Sequence, residues 1–535
     1  MTAKNGRKPT VGTLTFVGAG PGDPGLLTVR AAERLATADL VIPDPVVPAD
    51  LLARCRPDAE IVPAPEGSPA ERAKVLIASV RAGRSTVRLV AGDPLGPGGV
   101  ADEVEACAKG SVTFEMVPGV PPALAVPAYA GMVLPARKSG EVRILDLHAG
   151  VLDWSSAAAG TAALTLVGAV EDMPAAAAAL LDYGRPPGSR IAVTVAGTTV
   201  GQQTVVSTLS EVAADLAAAA VTGAAVAVVG DAVGSRERLS WFETKPLFGW
   251  QLLVPRTKEQ AATLSEKLRS YGGVPIEVPT IAVEPPRTPA AMDRAVKGLV
   301  TGRYLWVAFT STNAVRAMRE KIEGLGLDVR AFAGIRLAAV GEATADALRT
   351  WGIEPELVPA GQQSSEGLLE VWPAYDDVFD PIDRVLLPRA DIATETLAAG
   401  LLERGWQVDD VTAYRTVRAA PPSAEIRDAI KGGGLDAVLF TSSSTVRNLV
   451  GIAGKPHAST VIAVIGPQTA KTAEELGLRV DVLAPAPTVA ALAEATAEFA
   501  RARRSSGELG RPSARSARSR TVAKAAKAVV KPAVQ

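Results

Sequence analysis

The amino-acid sequence predicts an α/β protein of several domains whose sheets are largely parallel. Three observations support this class. Short apolar runs bounded by Gly or Pro alternate with helix-like stretches along the chain. Hydrophobic residues make up 47% of the sequence but aromatic residues only 4%, so the cores are aliphatic, as in sheets covered by helices. The length of 535 residues corresponds to about three to four domains.

The predicted elements follow in order along the chain. Residues 242–250 are expected to form a boundary, where a tryptophan-bearing strand ends before a new strand opens. Periodic segments between the strands, such as 261–271 and 394–405, predict helices. The apolar runs predicted as buried strands are 13–17, 87–90, 191–195 and 225–229 before the boundary, and 252–254, 305–309, 337–340, 385–387, 437–440 and 461–465 after it.

The net charge of −1 is unevenly distributed along the chain. Residues 501–535 contain ten Lys or Arg and one acid, so this segment carries +9 and the remainder about −10. Because the segment lacks aromatic residues and cannot bury enough surface to fold, we expect a disordered basic tail. A solubilising extension is favoured over attachment to nucleic acid or to a membrane.

Other features restrict the class of protein. The two cysteines and two histidines are spaced neither as a disulfide framework nor as a zinc site, so we expect no metal and a reducing, cytoplasmic location. No apolar run reaches 18 residues and no signal-like segment opens the chain, so we expect no membrane attachment. Cys107 is expected to be structural and His148 to face solvent.

The sequence beyond the boundary repeats itself. Three motifs recur at offsets of 133, 131 and 125 residues, and a fourth pattern, Leu264, Leu268 and Gly272, recurs as Leu397, Leu401 and Gly405 at the offset of 133. These offsets indicate two copies of one α/β unit of about 110–130 residues. Two such units facing each other form a cleft, and clefts between domains bind small molecules. The repeated motifs are Val254-Pro255-Arg256 with Leu387-Pro388-Arg389, Phe309-Thr310-Ser311 with Phe440-Thr441-Ser442, and Gly341 to Thr344 with Gly466 to Thr469.

Hydroxyl residues follow the predicted strands of both copies. In a parallel sheet the carboxyl ends of the strands lie at one edge, where helices begin. Hydroxyls and free backbone N–H groups at such an edge suit carboxylates or phosphates. Each residue alone could be a helix N-cap, but four sites at symmetric positions favour a shared anion-binding cleft. The four are Thr310, Thr344, Thr441 and Thr469.

In their order and spacing these motifs resemble uroporphyrinogen-III synthase over residues 250–499. The resemblance implies a synthase domain at 249–499, made of two Rossmann-like parallel-sheet domains joined by a two-stranded linker. One lobe would combine 249–284 with 420–499, and the other would span 296–412. The motifs are Leu253-Val254-Pro255-Arg256, Phe309-Thr310-Ser311-Thr312-Asn313-Ala314-Val315, Val340-Gly341-Glu342-Ala343-Thr344-Ala345, Val411-Thr412-Ala413-Tyr414, Phe440-Thr441-Ser442-Ser443 and Ile465-Gly466-Pro467-Gln468-Thr469-Ala470.

The resemblance also implies a reaction. Hydroxymethylbilane, a linear tetrapyrrole with eight carboxylates, would lose its terminal hydroxyl and close to uroporphyrinogen III with the last pyrrole inverted, without metal or cofactor. The enzyme would act mainly by positioning and electrostatic stabilisation. Tyr414 could protonate the leaving hydroxyl as a general acid, or it could merely pack in the linker.

Further site roles follow from the same resemblance. Thr469 would join Tyr414 as a catalytic residue. Arg256 and Arg389 could bind substrate carboxylates or form surface ion pairs. The other expected substrate-binding residues are Thr310, Ser311, Asn313, Thr344, Thr441, Ser442, Ser443 and Gly466.

A glycine-rich loop, Val17-Gly18-Ala19-Gly20-Pro21-Gly22-Asp23-Pro24, follows the first strand. Its prolines do not match the dinucleotide fingerprint, so alone it indicates a nucleotide site or merely a tight turn. Together with later motifs it resembles the uroporphyrinogen-III C-methyltransferase family over residues 11–245. Those motifs are Ala91-Gly92-Asp93-Pro94, Val117-Pro118-Gly119-Val120, Ala128-Tyr129-Ala130-Gly131, Gly197-Thr198-Thr199, Gln203-Thr204-Val205 and Arg238-Leu239-Ser240-Trp241-Phe242.

This second resemblance implies a tetrapyrrole-methylase-like unit of two α/β domains with S-adenosyl-L-methionine held between them. The unit would methylate two pyrrole carbons of uroporphyrinogen III to precorrin-2, on the way to siroheme and cobalamin, and could form a homodimer. Arg137 would recognise the anionic substrate, and Asp93 would accept a hydrogen bond from the cofactor. The expected cofactor-binding residues are Pro21, Gly92, Asp93, Ala123, Val167, Gly197 and Thr198.

Several positions depart from the methyltransferase pattern, and one departure removes an arginine that could pair with substrate carboxylates. Three hypotheses therefore stay open: a fusion active in both halves, a synthase with an inactive N-terminal module, and a non-catalytic two-lobe protein that binds a small anion. The departures are Pro43 for the tyrosine of a Tyr-Asp pair, Ala91 for a glycine, the arginine-free segment 95–99, Pro121-Pro122 for Thr-Ser, and Val167 for a methionine.

Overall fold

The computed structural model describes residues 12–135, 140–256 and 258–506. Within these ranges the chain forms four five-stranded sheets, and helices cover them. The α/β class is therefore confirmed. Arg137 lies outside the described residues, and so does the predicted tail from residue 507 onward. No helix of the described ranges is long and apolar enough to cross a membrane.

The first sheet is wholly parallel, in the order β3-β2-β4-β1-β5. Its strands are β1 (Thr13–Gly18), β2 (Leu40–Pro43), β3 (Glu60–Ile61), β4 (Ser85–Val90) and β5 (Phe114–Val117). Its helices are α1 (Val29–Thr37), α2 (Ala49–Leu52), α3 (Pro69–Arg81), α4 (Ala101–Lys109) and α5 (Pro122–Tyr129), with a 3-10 turn at Pro24–Leu26.

The second sheet, β6-β7-β10-β8-β9, corrects the expectation of parallel strands. Only β6 and β7 pair in parallel, and the other three pairs are antiparallel. The short loop 196–202 accounts for one of these pairs, β8 with β9, since a tight turn can join only antiparallel neighbours. The strands are β6 (Val142–Asp146), β7 (Ala163–Ala169), β8 (Arg190–Val195), β9 (Gln203–Thr208) and β10 (Ala224–Val229).

The helices of this second domain lead into the boundary region. They are α6 (Trp154–Ala158), α7 (Met173–Asp182), α8 (Val212–Ala219) and α9 (Arg236–Leu239), with 3-10 turns at Val170–Asp172 and Asp231–Ser235. The predicted tryptophan-bearing strand is wrong, because Trp241 lies in a turn after α9. Its indole N–H donates to the Ala128 carbonyl at 3.1 Å, and Phe242 packs between Tyr129 and Phe248.

The second half contains two further sheets with twin topology. We call the sheet β12-β11-β18-β19-β20 and its helices lobe 1, and the sheet β17-β16-β14-β15 and its helices lobe 2. The strands are β11 (Gln251–Val254), β12 (Val274–Glu277), β13 (Ile281–Glu284), β14 (Trp306–Phe309), β15 (Arg336–Ala339), β16 (Arg384–Ala390), β17 (Gln407–Arg418), β18 (Ala437–Phe440), β19 (Val461–Val464) and β20 (Val482–Leu483).

The repeated motifs occupy equivalent places in the two lobes. Strands β11, β18 and β19 of lobe 1 neighbour one another as β16, β14 and β15 do in lobe 2. The helices are α10 (Lys258–Ser270), α11 (Ala290–Val300), α12 (Thr312–Gly324), α13 (Glu342–Thr350), α14 (Ser365–Val371), α15 (Thr396–Glu403), α16 (Ala424–Gly432), α17 (Ser443–Ala453), α18 (Pro467–Glu475) and α19 (Val489–Ser505), with a 3-10 turn at Val329–Phe332.

Two strands connect the lobes. Strand β17 pairs in parallel with β16 and then runs on to pair antiparallel with β13 at 415–418. Arg415 holds this ribbon together, since its guanidinium donates to Glu284 at 2.6 Å and to the Pro285 carbonyl at 3.2 Å. The chain thus leaves lobe 1 through β13 and returns to it through β17.

The last helix extends further than the sequence indicated. We expected disorder from residue 501, whereas α19 continues to Ser505. Arg504 explains the difference, because its guanidinium donates to the carbonyls of Lys245 at 3.1 Å and Pro246 at 3.4 Å. This arginine fixes the end of α19 to the segment that joins the two halves of the chain.

Cys107 is fully buried in the first domain, as expected of a structural residue. Burial, with a smaller effect of the nearby Glu103 carboxylate, raises the pKa of its thiol to about 11. Because the folded pKa exceeds the unfolded one, the contribution of the neutral thiol is complete below the unfolded pKa and is lost as pH rises through about 11. We expect Cys107 to resist a thiol reagent at pH 8 until urea unfolds the domain; rapid labelling of the native chain would contradict this.

Candidate functional site

The rim of lobe 2 carries a pair of hydroxyl groups. By the rim of lobe 2 we mean residues 310–313, 341–344 and Tyr414, which lie at the carboxyl ends of the lobe 2 strands. Ser311 is the N-cap of α12, and its Oγ accepts from the Ala314 N–H at 3.1 Å. The same Oγ lies 2.9 Å from the Tyr414 hydroxyl. Because the Ser311 oxygen already accepts a hydrogen bond, its own proton can point to Tyr414 and leave the phenol proton available.

The remaining residues of this rim are held at helix starts. Asn313 lies in the first turn of α12, where its Oδ1 accepts from Arg316 at 3.3 Å. Thr310 is half-buried after β14, and Thr344 is buried in the first turn of α13. The Gln363 side chain covers the start of α13, since its Oε1 accepts from the Glu342 N–H at 3.3 Å. The α13 terminus is therefore partly occupied by the chain itself.

The rim of lobe 1 consists of residues 441–444, 466–469 and Arg256. Ser442 is the N-cap of α17 and Gly466 that of α18, so both motifs begin helices beside one another. Ser443 joins them, because its Oγ donates to the Gln468 carbonyl at 3.0 Å. Thr441 is half-buried, and Thr469 is buried in the first turn of α18. A Cβ at Gly466 would meet no atom within 4 Å, so the α18 terminus is open.

The two arginines of the repeat have different surroundings. Arg389 is 6% exposed, and its guanidinium is bound by Asp410, by Glu395 at 2.8 Å and by the Thr394 carbonyl. All three of its nitrogens are therefore engaged within lobe 2. This corrects the expectation that Arg389 binds substrate, because a carboxylate ligand would have to displace an ion pair already formed.

Arg256 is the opposite case. It follows β11 at the rim of lobe 1, and burial lowers the pKa of its guanidinium. None of the described residues forms an ion pair or hydrogen bond with this side chain. A partly desolvated cation without a partner is stabilised when a carboxylate binds it. Arg256 is thus the cation of the rims that is free to take an anionic ligand.

The structure brings the motifs together within each lobe. Ser311 meets Tyr414 in lobe 2, and Ser443 meets Gln468 in lobe 1. In the described ranges no hydrogen bond or ion pair connects the rim of one lobe with the rim of the other. The ribbon of β13 and β17 starts beside Tyr414 and joins the two lobes.

In the N-terminal half three glycines meet at a second site. A Cβ on Gly18 would lie 2.4 Å from the Gly119 nitrogen, and one on Gly119 would lie 2.1 Å from the Gly92 oxygen. Gly20 and Gly92 also exchange two backbone hydrogen bonds, of 3.1 and 2.9 Å. Three loops at the carboxyl ends of β1, β4 and β5 therefore touch through their backbones. Glycine occurs in each motif because a side chain there would collide with the backbone of the neighbouring loop.

Asp93 fixes these loops and lines a small cleft. Its Oδ1 accepts from the Leu95 N–H and its Oδ2 from the Gly119 N–H, both at 3.0 Å. Three of the expected cofactor residues, Asp93, Ala123 and Val167, meet in this cleft, whose volume is about 10 Å³. The other lining residues belong to segments that depart from the family pattern: Gly96, Pro97, Pro121 and Pro122.

The prolines change what the cleft offers. Pro121 and Pro122 open α5 without N–H groups. The next free donor would be the Ala123 N–H, because those of Leu124 and Ala125 both bond to the Pro121 carbonyl at 3.1 Å. Pro97 stands in the segment that lacks the family's arginine. The cleft therefore presents one acceptor side chain, one backbone donor and mostly apolar walls.

Gly197 and Thr198 lie in the loop 196–202, against α5 and the glycine-rich loop. Thr198 is 1% exposed, and its hydroxyl accepts from the Asp23 N–H at 3.0 Å. A Cβ on Gly197 would lie 2.4 Å from Val126 Cγ2, so only glycine lets the loop approach α5 this closely. Pro21 is half-buried in the loop that Asp23 anchors.

Sequence reasoning missed the link between Tyr129 and Asp23. The Tyr129 hydroxyl donates to Asp23 Oδ2 at 2.8 Å. Burial and the Asp23 carboxylate raise the pKa of this phenol.

His148 is largely exposed, as expected, but it lies 3.7 Å from both Asp146 and Asp172. Asp146 also accepts a hydrogen bond from the Gly98 N–H at 2.7 Å. Among the residues described, no cluster of His, Cys, Asp or Glu could hold a metal ion.

The glycine contact gives a direct test. Gly119→Ala would place a methyl group against the backbone of Gly92, so the loops must separate. We expect the free energy of unfolding of the N-terminal half to fall by about 1–3 kcal/mol, measured by urea denaturation. Gly150→Ala is the matched control, because nothing lies within 4 Å of a Cβ there. Equal stability of the two variants would contradict the close contact.

Comparison with known proteins agrees with this two-part organisation. The family model for tetrapyrrole (corrin/porphyrin) methylases matches residues 13–213, and the model for uroporphyrinogen-III synthase HemD matches residues 262–494. The porphyrin biosynthesis protein HemD of Ruminiclostridium josui is 29% identical over 500 residues, which cover 88% of this chain and 94% of that protein.

Two further proteins are similar to parts of this chain. A crystal structure of uroporphyrin-III C-methyltransferase from Thermus thermophilus with S-adenosyl homocysteine is 30% identical, with a TM-score of 0.37, and covers 42% of this chain and 99% of that one. Uroporphyrinogen-III C-methyltransferase of Bacillus subtilis is 30% identical over 373 residues, which cover 67% of this chain and 75% of that protein. The chain therefore belongs to the uroporphyrinogen-III C-methyltransferase family and continues into a region that matches the uroporphyrinogen-III synthase family.

Proposed function

We propose that the second half of the chain closes hydroxymethylbilane to uroporphyrinogen III. The observation that carries this is the contact of 2.9 Å between the Ser311 and Tyr414 hydroxyls at the rim of lobe 2. It supports the proposal, because a Ser311 hydroxyl that donates to Tyr414 would leave the phenol proton available beside the ribbon that joins the two lobes. Arg256, half-buried and without a partner in the described residues, supplies a cation at the rim of lobe 1.

The step is a loss of water followed by ring closure. The pyrrole nitrogen lone pair drives out the terminal hydroxyl, and the Tyr414 phenol donates its proton so that water leaves. The pyrrole at the other end then attacks the exposed methylene carbon through its substituted α-carbon, which gives a spiro intermediate. The bond from that α-carbon to its original methylene bridge breaks, the freed methylene bonds to the unsubstituted α-carbon of the same pyrrole, and loss of the proton there leaves the inverted macrocycle neutral. Ser311 donates to the phenol oxygen and stabilises the phenolate until it is reprotonated.

The rims would also hold the substrate in the folded shape that closure requires. Ser442 and the open α18 terminus offer hydroxyl and backbone donors to carboxylates, whereas the Ser443 hydroxyl would first have to release the Gln468 carbonyl. Arg256 would pair with one carboxylate through two parallel hydrogen bonds. Because spontaneous closure competes, most of the catalytic effect is expected to come from this positioning.

The isomer of the product tests the synthase proposal. The full chain is incubated with hydroxymethylbilane, the products are oxidised, and the type I and type III isomers are separated. We expect type III to predominate, whereas closure without enzyme gives type I. Formation of type I alone, at the rate of the enzyme-free control, would refute the proposal and leave a binding protein.

For the N-terminal half we propose binding of S-adenosyl-L-methionine and methylation of uroporphyrinogen III. S-adenosyl-L-methionine supplies a methyl group on sulfur. The chemistry of the lining residues suits such a ligand. Asp93 retains lone pairs that can accept from a hydroxyl or amino group, and the Ala123 N–H is a donor. Val167 provides an apolar wall. With a volume of about 10 Å³, which is room for one water molecule, the cleft would enclose only a small part of a molecule of this size.

Transfer of label decides between an active and an inactive N-terminal half. S-adenosyl-L-methionine with a labelled methyl group is supplied with uroporphyrinogen III, and we expect dimethylated product. Gly119→Ala is expected to lose both cofactor binding and transfer, and Gly150→Ala to lose neither. Binding without transfer would instead support an inactive module, whose altered prolines line the cleft. If both halves are active, their fusion raises the local concentration of the shared tetrapyrrole.

A further inference from the structure

Lobe 1 has a cavity at the edge of the sheet away from the rim. It opens beside the amino end of β19, in the loop 454–460, whereas the rim follows the carboxyl ends of β18 and β19. The cavity has a volume of about 210 Å³, which is smaller than a typical drug-sized site and therefore suits a compact ligand. We call it the basic pocket, and its lining includes Lys455, His457, Thr460, Gly477 and Arg479.

The loop beside the basic pocket differs from the equivalent loop of lobe 2. In lobe 2 the equivalent loop, 325–335, is four residues longer and contains the 3-10 turn Val329–Phe332. Phe332 is buried there and packs edge-on against Trp351, with ring centroids 5.4 Å apart. At the offset of 125 residues that aligns the start of β15 with the start of β19, lobe 1 has His457 and Leu476 in place of these two aromatic residues. The loop of lobe 1 is therefore shorter and lacks this pair of large rings.

The polar groups of the basic pocket are all hydrogen-bond donors or cations. The Lys455 ammonium lies 3.1 Å from where a Cβ of Gly477 would stand, and no ion pair or hydrogen bond of this ammonium occurs in the part of the chain described. His457 Nδ1 accepts from the Ser459 N–H at 3.2 Å, which leaves the proton on Nε2. Its lining, as far as the structure describes it, contains no acidic residue.

Arg479 is the second cation of the basic pocket, and its charge is only partly neutralised. Its Nε donates to Asp481 Oδ1 at 2.6 Å, while the side chain is 68% exposed. Asp481 itself is 11% exposed and also accepts from the Ile462 N–H at 2.9 Å, so it is committed to holding the edge of the sheet. The terminal nitrogens of Arg479 remain available to a ligand.

We propose that the basic pocket binds a compact polyanion that carries phosphate or carboxylate groups. Three convergent donors around a concave site can form charge-assisted hydrogen bonds with several anionic oxygens at once. Such a ligand would bind 1:1 to a site distinct from the rims. The inference does not depend on the proposed synthase reaction, because the basic pocket lies at the opposite edge of the sheet.

Calorimetric titration of the full chain tests this proposal. The probes are inorganic pyrophosphate and citrate, titrated separately at constant ionic strength set with chloride. We expect at least one probe to saturate a single site. Lys455→Glu is expected to raise its Kd about ten-fold or more, since it replaces an attraction by a repulsion. His457→Gln is expected to weaken binding less, because an amide keeps a donor.

The control is Lys297→Glu, the same charge change at an exposed position of α11 in lobe 2. It is expected to leave the Kd unchanged. Absence of saturable binding by both probes would overturn the proposal. So would an equal effect of the Lys455 and Lys297 substitutions, or binding that Lys455→Glu leaves intact, because the anion would then lie elsewhere.

Discussion

Replacement of Tyr414 by phenylalanine is expected to lower kcat for conversion of hydroxymethylbilane to uroporphyrinogen III about 100-fold. The substitution keeps the ring, which is 6% exposed in the core of lobe 2, and removes only the hydroxyl 2.9 Å from Ser311. Without that proton, hydroxide must leave unprotonated. Because the phenol acts mainly in the transition state, KM should change little. Initial rates of type III formation measure both constants.

Two matched variants separate catalysis from packing. Ser311→Ala should lower kcat about ten-fold, in proportion to one lost hydrogen bond to the phenol. Tyr375→Phe should leave kcat unchanged, because Tyr375 packs on Trp406 with ring centroids 5.2 Å apart, in the core away from the rim. If Tyr414→Phe keeps the wild-type kcat while its stability falls, Tyr414 has only a packing role.

Replacement of Arg88 by methionine is expected to destabilise the N-terminal half by about 3–5 kcal/mol. Arg88 is 2% exposed and Glu103 is 1% exposed. The Arg88 Nε donates to Glu103 at 2.9 Å, and a terminal nitrogen donates to Asp44 at 2.5 Å. Removing the cation takes one of two arginine partners from the buried Glu103, which keeps Arg72, and takes the ion-pair partner of Asp44. The same change should loosen the loop at Ala91, whose N–H donates to Asp44 at 2.9 Å.

Urea denaturation followed by hydrogen exchange in residues 12–135 measures this loss, because the chain has several domains and one global midpoint would mix them. Arg190→Met is the control. Arg190 is about half exposed and pairs with Glu237 at 3.4 Å, so its loss should cost less than about 1 kcal/mol. Similar losses for Arg88→Met and Arg190→Met would show that the buried network contributes no more than a surface pair.

Much of the fold could be predicted because buried strands appear in the sequence as apolar runs. Apolar runs such as 437–440 are strands whose residues are all buried, and the repeated motifs lie at equivalent strands of twin sheets. The sequence did not show whether neighbouring strands run parallel or antiparallel. Strands β8 and β10 are almost wholly buried, so they are as apolar as parallel strands even though they pair antiparallel.

The site was harder to predict than the fold, since contacts between distant residues decide its chemistry. The hydroxyl motif and Tyr414 were recognisable, but their contact joins residues 103 positions apart. The repeat suggested equal roles for Arg256 and Arg389. Asp410 distinguishes them, because it neutralises Arg389 from the neighbouring strand β17, whereas the described residues offer Arg256 no such partner.

The discontinuity of lobe 1 has a consequence for synthesis on the ribosome. Strands β11 and β12 are made early, but their neighbour β18 begins only at Ala437 and the covering helix α19 at Val489. Lobe 2 is complete in the nascent chain before its sister can close. Until then the edge of β11 and the apolar face of α10 stay uncovered, which makes this interval the one in which chaperone capture or misassociation is to be expected.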